Sequence, residues 1–308
     1  TADIMDGGGK LEDWVLVAQP WAWNASASPA IVAYSYIFFL FKTGELSGEV
    51  NWLNGIIGFI AMLILHVSGN TMNEYQDFMK GIDGKEKTGP PRLIVQVIFK
   101  PKTVLYYSLT MLSIGSLIGA YLIVNTGWPL LVIGIVGVFS ILFYHKFKYA
   151  ALGELLIFIC YALAVPMGIG YVLTEQLMWE ILLVTTPTGL LVVDILHANN
   201  TRDVEQDRAA ETRSQAMKLG LEGSQIVYQT LILVSYMLIA ILVFINMLHP
   251  IAFLVLLSFP LASKNIKSMK KATNDNLQSI HFLDAETSKL TLLFSFLLAA
   301  ANFIAPFV

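Results

Sequence analysis

Apolar residues in this chain come in long blocks separated by short polar stretches, and the length of the blocks decides what they are. A helix rises 1.5 Å per residue, so about 20 mostly apolar residues cross the hydrocarbon of a bilayer. Nine blocks meet that length, at approximately 14–41, 52–76, 103–124, 128–145, 150–173, 178–200, 225–247, 250–267 and 287–307. The pattern predicts an all-α, polytopic membrane protein with nine transmembrane helices. Block one is interrupted by the small polar run 24–28 and by Pro29, which predicts a kink or a tilted start. Residues 1–12, beginning TADIMDGGGK, are polar and show no secretory signal; they are read as a tail, and 13–308 as one transmembrane domain.

Composition agrees with this, since 56% of the 308 residues are hydrophobic and 13% charged, more apolar content than one soluble core can use. The net charge of −3 says less than where the charges fall. With the N-terminus placed in the cytoplasm, every Lys and Arg among the 19 except Lys42 falls on the cytoplasmic side, the arrangement that basic residues favour. That split expects a cytoplasmic (inner) membrane location with the polar helix ends facing the cytoplasm. The single cysteine, Cys160, excludes an intrachain disulfide and reads as packing.

Two polar stretches stand out at those inner ends. Residues 70–83 read NTMNEYQDFMKGID and residues 196–208 read LHANNTRDVEQDR. Laying Asp77 on Asp207 brings Asn70, Thr71 and Gln76 onto Asn200, Thr201 and Gln206, a near-repeat that fits an internal duplication or the repeats of a transporter. Helical spacing puts Asn73 and Asp77 on one face, and likewise Asn199, Asp203 and Asp207. Any one acid is accounted for by a solvated helix end, but matched sets at two helix ends point to a shared pocket of carboxylate and amide oxygens. Such a pocket suits Mg²⁺, which is commonly held by one or two carboxylates and the oxygens of a substrate phosphate. Tyr144 and Lys148 end the fourth block on the same side, with Lys80, Arg92 and Arg202, where cations would neutralise a bridged polyanion. The two long inner connections, after the second and sixth blocks, are expected to cap the site. Lys264, Lys267, Lys270 and Lys271 read as a basic face near anionic headgroups. His66 and His197 lack further ligands for zinc and are expected to hydrogen-bond within the bundle. No GxSxG arrangement or phosphate-cradling glycine loop is present.

The wording NxYxDFxKGID (73–83) and LHxNNTRDxxxDR (196–208) resembles the two aspartate-rich signatures of the UbiA superfamily of intramembrane prenyltransferases, in particular its MenA branch. QPWAWNASASP (19–29) and KYAALGEL (148–155) extend the resemblance along the chain. It implies a UbiA-type bundle with cytoplasmic cap loops. The implied reaction is Mg²⁺-dependent transfer of a polyprenyl group from a polyprenyl diphosphate to an aromatic acid, 1,4-dihydroxy-2-naphthoate in that branch, with loss of its carboxylate. Lipid bilayer and the two substrates are the expected partners, with no nucleic acid. By position, Asn73, Asp77, Asp203 and Asp207 would hold Mg²⁺ and the diphosphate, with Asp83 as a further catalytic acid. Asn199, Asn200, Arg202, Tyr144, Lys148 and Arg92 would contact substrate. Three positions depart from the family pattern: Glu74 replaces an Asp, Gly81 replaces an Asp with Asp83 two residues later, and Gln19 replaces an Arg before Pro20.

Overall fold

A computed structural model describes residues 10–82, 93, 94, 96 and 98–308. Its described residues are nearly all helical, and nine helices are long and apolar enough to cross a membrane. In chain order these elements are α1 (Leu11–Val17), α2 (Asn24–Thr43), α3 (Trp52–Lys80), α4 (Pro101–Thr126), α5 (Pro129–Tyr149), α6 (Gly153–Thr174), α7 (Trp179–Arg202), α8 (Val204–Ala209), α9 (Gln215–Phe244), α10 (Pro250–Lys271) and α11 (Leu277–Phe307). All but the short α1 and α8 are candidate spans, so the chain is a multi-pass membrane protein.

Local chemistry sets the helix ends. Asn51 caps α3 by accepting from Asn54 N at 2.9 Å, and Gly81 closes it in the left-handed region at φ 78°, which glycine adopts without steric cost. With 29 residues α3 is about 43 Å long, more than the roughly 30 Å of hydrocarbon, so its last turns, from Asn70 on, reach the interface. The first span begins later than the apolar pattern suggests. Gln19 takes a left-handed φ of 53°, Pro20 follows, and the chain makes a short 3-10 turn before α2, whereas Pro29 is carried inside that helix. At the other end of the chain, α9 and α11 start about ten residues earlier than expected, because polar first turns extend apolar helices without changing their hydropathy.

Buried side chains recur at helical spacing along α9 (Tyr228, Ile232, Ile239) and α11 (Leu290, Phe294, Leu298), and join α2, α7 and α10 in the main core. Lipid offers apolar groups no incentive to leave it, so close packing and interhelical hydrogen bonds hold such a bundle. Tyr228 bonds Thr287 at 2.6 Å, Asn302 donates to Ser35 at 3.0 Å, and Ser235 donates to the Pro187 carbonyl at 2.9 Å. Gly189 of α7 lies so close to Ala162 that any Cβ would strike it. Ala162 sits in a π-helical turn, Phe158–Ala164, within α6. Val17 of α1 packs with Leu93, Ile94, Phe99 and Val104, so described parts of the connection between α3 and α4 lie against α1 and the start of α4.

Candidate functional site

A cavity of about 960 Å³ runs through the bundle. One end is polar, lined by Asn70 and Asn73 of α3, Tyr144 and Lys148 of α5, Asn199 and Arg202 of α7, and Asp284 of α11. The other end is apolar, lined by residues such as Leu122, Ile123, Leu130, Ile133 and Val172. In sequence order α3 and α7 are far apart; in the fold their C-terminal ends share one cavity.

Asp77 is the centre of the α3 contribution. Its side chain is fully buried, with Oδ2 accepting from Lys148 Nζ at 2.6 Å and from Asn73 Nδ2 at 3.2 Å, and Oδ1 accepting from the Tyr149 hydroxyl at 3.1 Å. The spacing of four residues brings Asn73 and Asp77 together, and KYAALGEL supplies the cation and the phenol from α5. Asn73 Oδ1 is buried without a hydrogen-bond partner, although Asn73 lines the cavity. Such an orphaned amide oxygen beside a carboxylate is a hard-ligand pair of the kind Mg²⁺ takes, so the residues present fit that ion. Among the described residues no three His, Cys, Asp or Glu side chains are gathered to hold a metal on their own. The fit is therefore to a metal that shares its ligands with a phosphate.

On α7, Arg202 is clamped. Nε and Nη2 donate to Asp203 at 2.7 and 3.0 Å, and Nη1 donates to Asp284 Oδ2 at 2.8 Å and to the His281 carbonyl at 3.0 Å. Asn199 donates to the same Asp284 oxygen at 3.3 Å. These bonds fix the polar wall, because a guanidinium with four committed donors is held in one orientation. Asp207 is buried on α8, and its carbonyl accepts from Thr212 N and Oγ1 at 3.0 and 2.9 Å, holding the turn that follows.

The structure thus gathers Asn73, Tyr144, Lys148, Asn199 and Arg202 around one cavity, with Asp77 and Asp203 bonded directly behind them. Asn200 goes elsewhere: it donates to Glu154 at 3.2 Å, and the same carboxylate oxygen lies 3.0 Å from His197 Nδ1. Neighbours on a helix point about 100° apart, so Asn199 and Asn200 serve different sides. His66 bonds Ser26 at 2.6 Å, and its ring lies 5.0 Å from that of Tyr161 at a tilt of 46°. Asp83 and Arg92 lie outside the described residues.

Two partners, Asp284 and Tyr149, were not singled out from the sequence, and Gln19 and Glu74 read as separate departures from a pattern. In fact Gln19 Nε2 donates to Glu74 Oε2 at 3.1 Å, both buried, and Ile94 N donates to Glu74 Oε1 at 3.4 Å. Two departures are one contact, a signal that only pairing the two positions would have exposed.

With this geometry in view, the likenesses to known proteins are informative. Residues 17–283 match the UbiA prenyltransferase family. UbiA prenyltransferase domain-containing protein 1 of Danio rerio is 31% identical over 249 residues, covering 77% of this chain and 70% of that protein. The 1,4-dihydroxy-2-naphthoate octaprenyltransferase of Bacillus subtilis is 28% identical over 257 residues, covering 81% and 82%. Among solved structures, a UbiA homolog from Archaeoglobus fulgidus bound to GPP and Mg²⁺ superposes with a TM-score of 0.58 at 15% identity, over 92% of this chain and 98% of that one. An apo UbiA homolog from Aeropyrum pernix K1 gives 0.62 at 16% identity, with coverage of 92% and 98%.

Proposed function

Since this chain belongs to the UbiA prenyltransferase family, we propose that it moves a polyprenyl group from an allylic diphosphate to 1,4-dihydroxy-2-naphthoate, on the cytoplasmic face of the inner membrane. One observation carries the reading: a single cavity joins a cationic, amide-rich end to a long apolar end. That is the shape of an amphiphile with an anionic head, and the Bacillus subtilis relative is named for that acceptor.

The residues divide the work. Lys148, already paired with Asp77 at 2.6 Å, presents its ammonium to the cavity and neutralises charge on the departing diphosphate. Asn73 and Asp77, with Asp203 and Asp207, would hold Mg²⁺, which supplies Lewis-acid stabilisation of the leaving group. Arg202, locked by Asp203 and Asp284, keeps the opposite wall rigid so that the head group meets preset partners. Further along the cavity the rings of His66 and Tyr161, 5.0 Å apart and tilted by 46°, line the wall, where an aromatic face would stabilise positive charge developing on the allylic carbon. The allylic C–O bond breaks, a carbon–carbon bond forms to the ring, and the ring gives up its carboxylate as carbon dioxide.

Incubating the purified protein with Mg²⁺, farnesyl or geranylgeranyl diphosphate and a panel of aromatic acids, and weighing the products, tests this directly. The naphthoate is the expected acceptor, and Asp77→Ala should lower turnover by about a hundredfold or more while the protein stays folded. Near-normal turnover of that variant would contradict the role given to Asp77.

A further inference from the structure

Glu74 follows Asn73 on α3, yet it is buried and lies outside the lining of the cavity. Its carboxylate instead joins two distant segments. Oε2 accepts from Gln19 Nε2 at 3.1 Å, 55 residues earlier in the chain, and Oε1 accepts from Ile94 N at 3.4 Å, 20 residues later. We propose that Glu74 is a positioning residue for the diphosphate head group. Through Gln19 it fixes the turn that walls the polar end of the cavity, and through Ile94 it ties that turn to the connection between α3 and α4. This inference rests on the function proposed above.

The turn is where the observations converge. Gln19, Pro20, Trp21 and Ala22 all line the cavity, and Gln19 bonds the neighbour of Asn73, so this wall stands at the polar end. Gln19 holds φ 53°, a left-handed conformation that side chains with a Cβ rarely adopt and that persists where surrounding contacts over-determine it. Some of those contacts are local. Ala22 N donates to the Gln19 carbonyl at 2.9 Å, and the Trp23 indole donates to the Ala18 carbonyl at 2.8 Å. These hold the backbone and leave the glutamine side chain undirected. The bond to Glu74 directs it, and a carboxylate acceptor makes that bond one of the stronger kind.

Burial gives the same answer from the side of Glu74. A carboxylate withdrawn from water has to be supplied with donors, and here they come from both segments at once. The segments also meet through apolar contacts: Val17, two residues before Gln19, packs in one cluster with Ile94, with Tyr75 and Phe78 of α3 alongside. Where the family pattern has Arg and Asp, this chain has a neutral amide and an acid longer by one methylene. Position 19 therefore adds no cation to the wall. Charge on the head group is left to Lys148, and the pairing of Gln19 with Glu74 contributes shape.

The test is equilibrium binding of radiolabelled geranylgeranyl diphosphate, with Mg²⁺ and no acceptor, to the purified full chain in detergent. Gln19→Glu sets two carboxylates against each other and should raise the Kd about tenfold, the loss of one hydrogen bond to a charged group. The double variant Gln19→Glu, Glu74→Gln keeps the new charge on the wall but restores a donor opposite an acceptor. Its Kd should return to within about twofold of the wild type. An unrestored Kd overturns the proposal, because the added charge then accounts for the loss by itself. Wild-type affinity in Gln19→Glu overturns it too, as does a reduced number of binding sites at unchanged Kd, which is what a loosened fold alone produces. Glu74→Ala drops both arms and should weaken binding at least as much as Gln19→Glu; should that variant not fold, the exchanged pair still decides. No acceptor is present, so a wrong acceptor leaves these outcomes intact, whereas a wild type that binds no prenyl diphosphate sinks both readings.

Discussion

Asp194 sits in the middle of α7, wholly buried, and neither carboxylate oxygen has a hydrogen-bond partner. An ionised group there has neither water nor a counter-charge bonded to it, which is among the more expensive arrangements a bundle can hold. Asp194→Asn removes the charge at constant shape. It should leave the melting temperature in detergent unchanged or raise it by about 2–4 °C; a clear fall would show that the folded protein stabilises the carboxylate. The contrast with Asp77 is instructive, because that acid is equally buried yet bonded by an ammonium, an amide and a phenol. Sequence made Asp77 visible through its spacing from Asn73 and the matching stretch near Asp207. It gave no hint of Asp284, since acids in the first turn of a helix are ordinary and the partner it serves, Arg202, comes from a helix 82 residues away in the chain.

At the scale of elements, the nine spans were readable because hydrocarbon thickness imposes one length on all of them. Their ends were less so. The break before α2 depends on a glutamine at positive φ, and Gln19 adopts it while bonding Glu74 of α3, a tertiary contact with no local signature. The π-helical turn of α6 was likewise invisible, being fitted to the close approach of Gly189. Glycines also shape the apolar end of the cavity: Gly119 of α4 and Gly134 and Gly137 of α5 line it, and a Cβ built on any of them meets nothing within 4 Å. Gly137→Phe should therefore fold, and should shorten the space for the tail. Its kcat/KM for long donors is expected to drop on the order of tenfold relative to short ones, as for a filled substrate pocket. Equal activity across donor lengths would show that the tail lies elsewhere.

For the whole molecule, the distribution of burial matters. In the apolar stretches of α4 and α5 only 17% and 11% of residues are buried inside the bundle, against 67% in α7. Residues of these two little-buried helices wall the apolar end of the cavity, so on the proposed function a lipid-borne tail would enter past them. On the proposed function the head group would meet the opposite, polar end, with donor and metal bound there together. Mg²⁺ and a prenyl diphosphate analogue should then raise the melting temperature jointly, by the equivalent of about 2.7 kcal/mol at a hundred times the dissociation constant. Stabilisation by Na⁺ or a small solute in place of that pair would instead favour a coupled carrier.

The contact between Lys148 and Asp77 has one more consequence. Because the ammonium is already neutralised, a polyanionic head group would not find an isolated cation; it would take over part of an existing pairing and leave the Asp77 carboxylate to help hold a divalent ion. On the proposed function its arrival would be an exchange of partners, leaving neither a bare positive nor a bare negative charge stranded away from water.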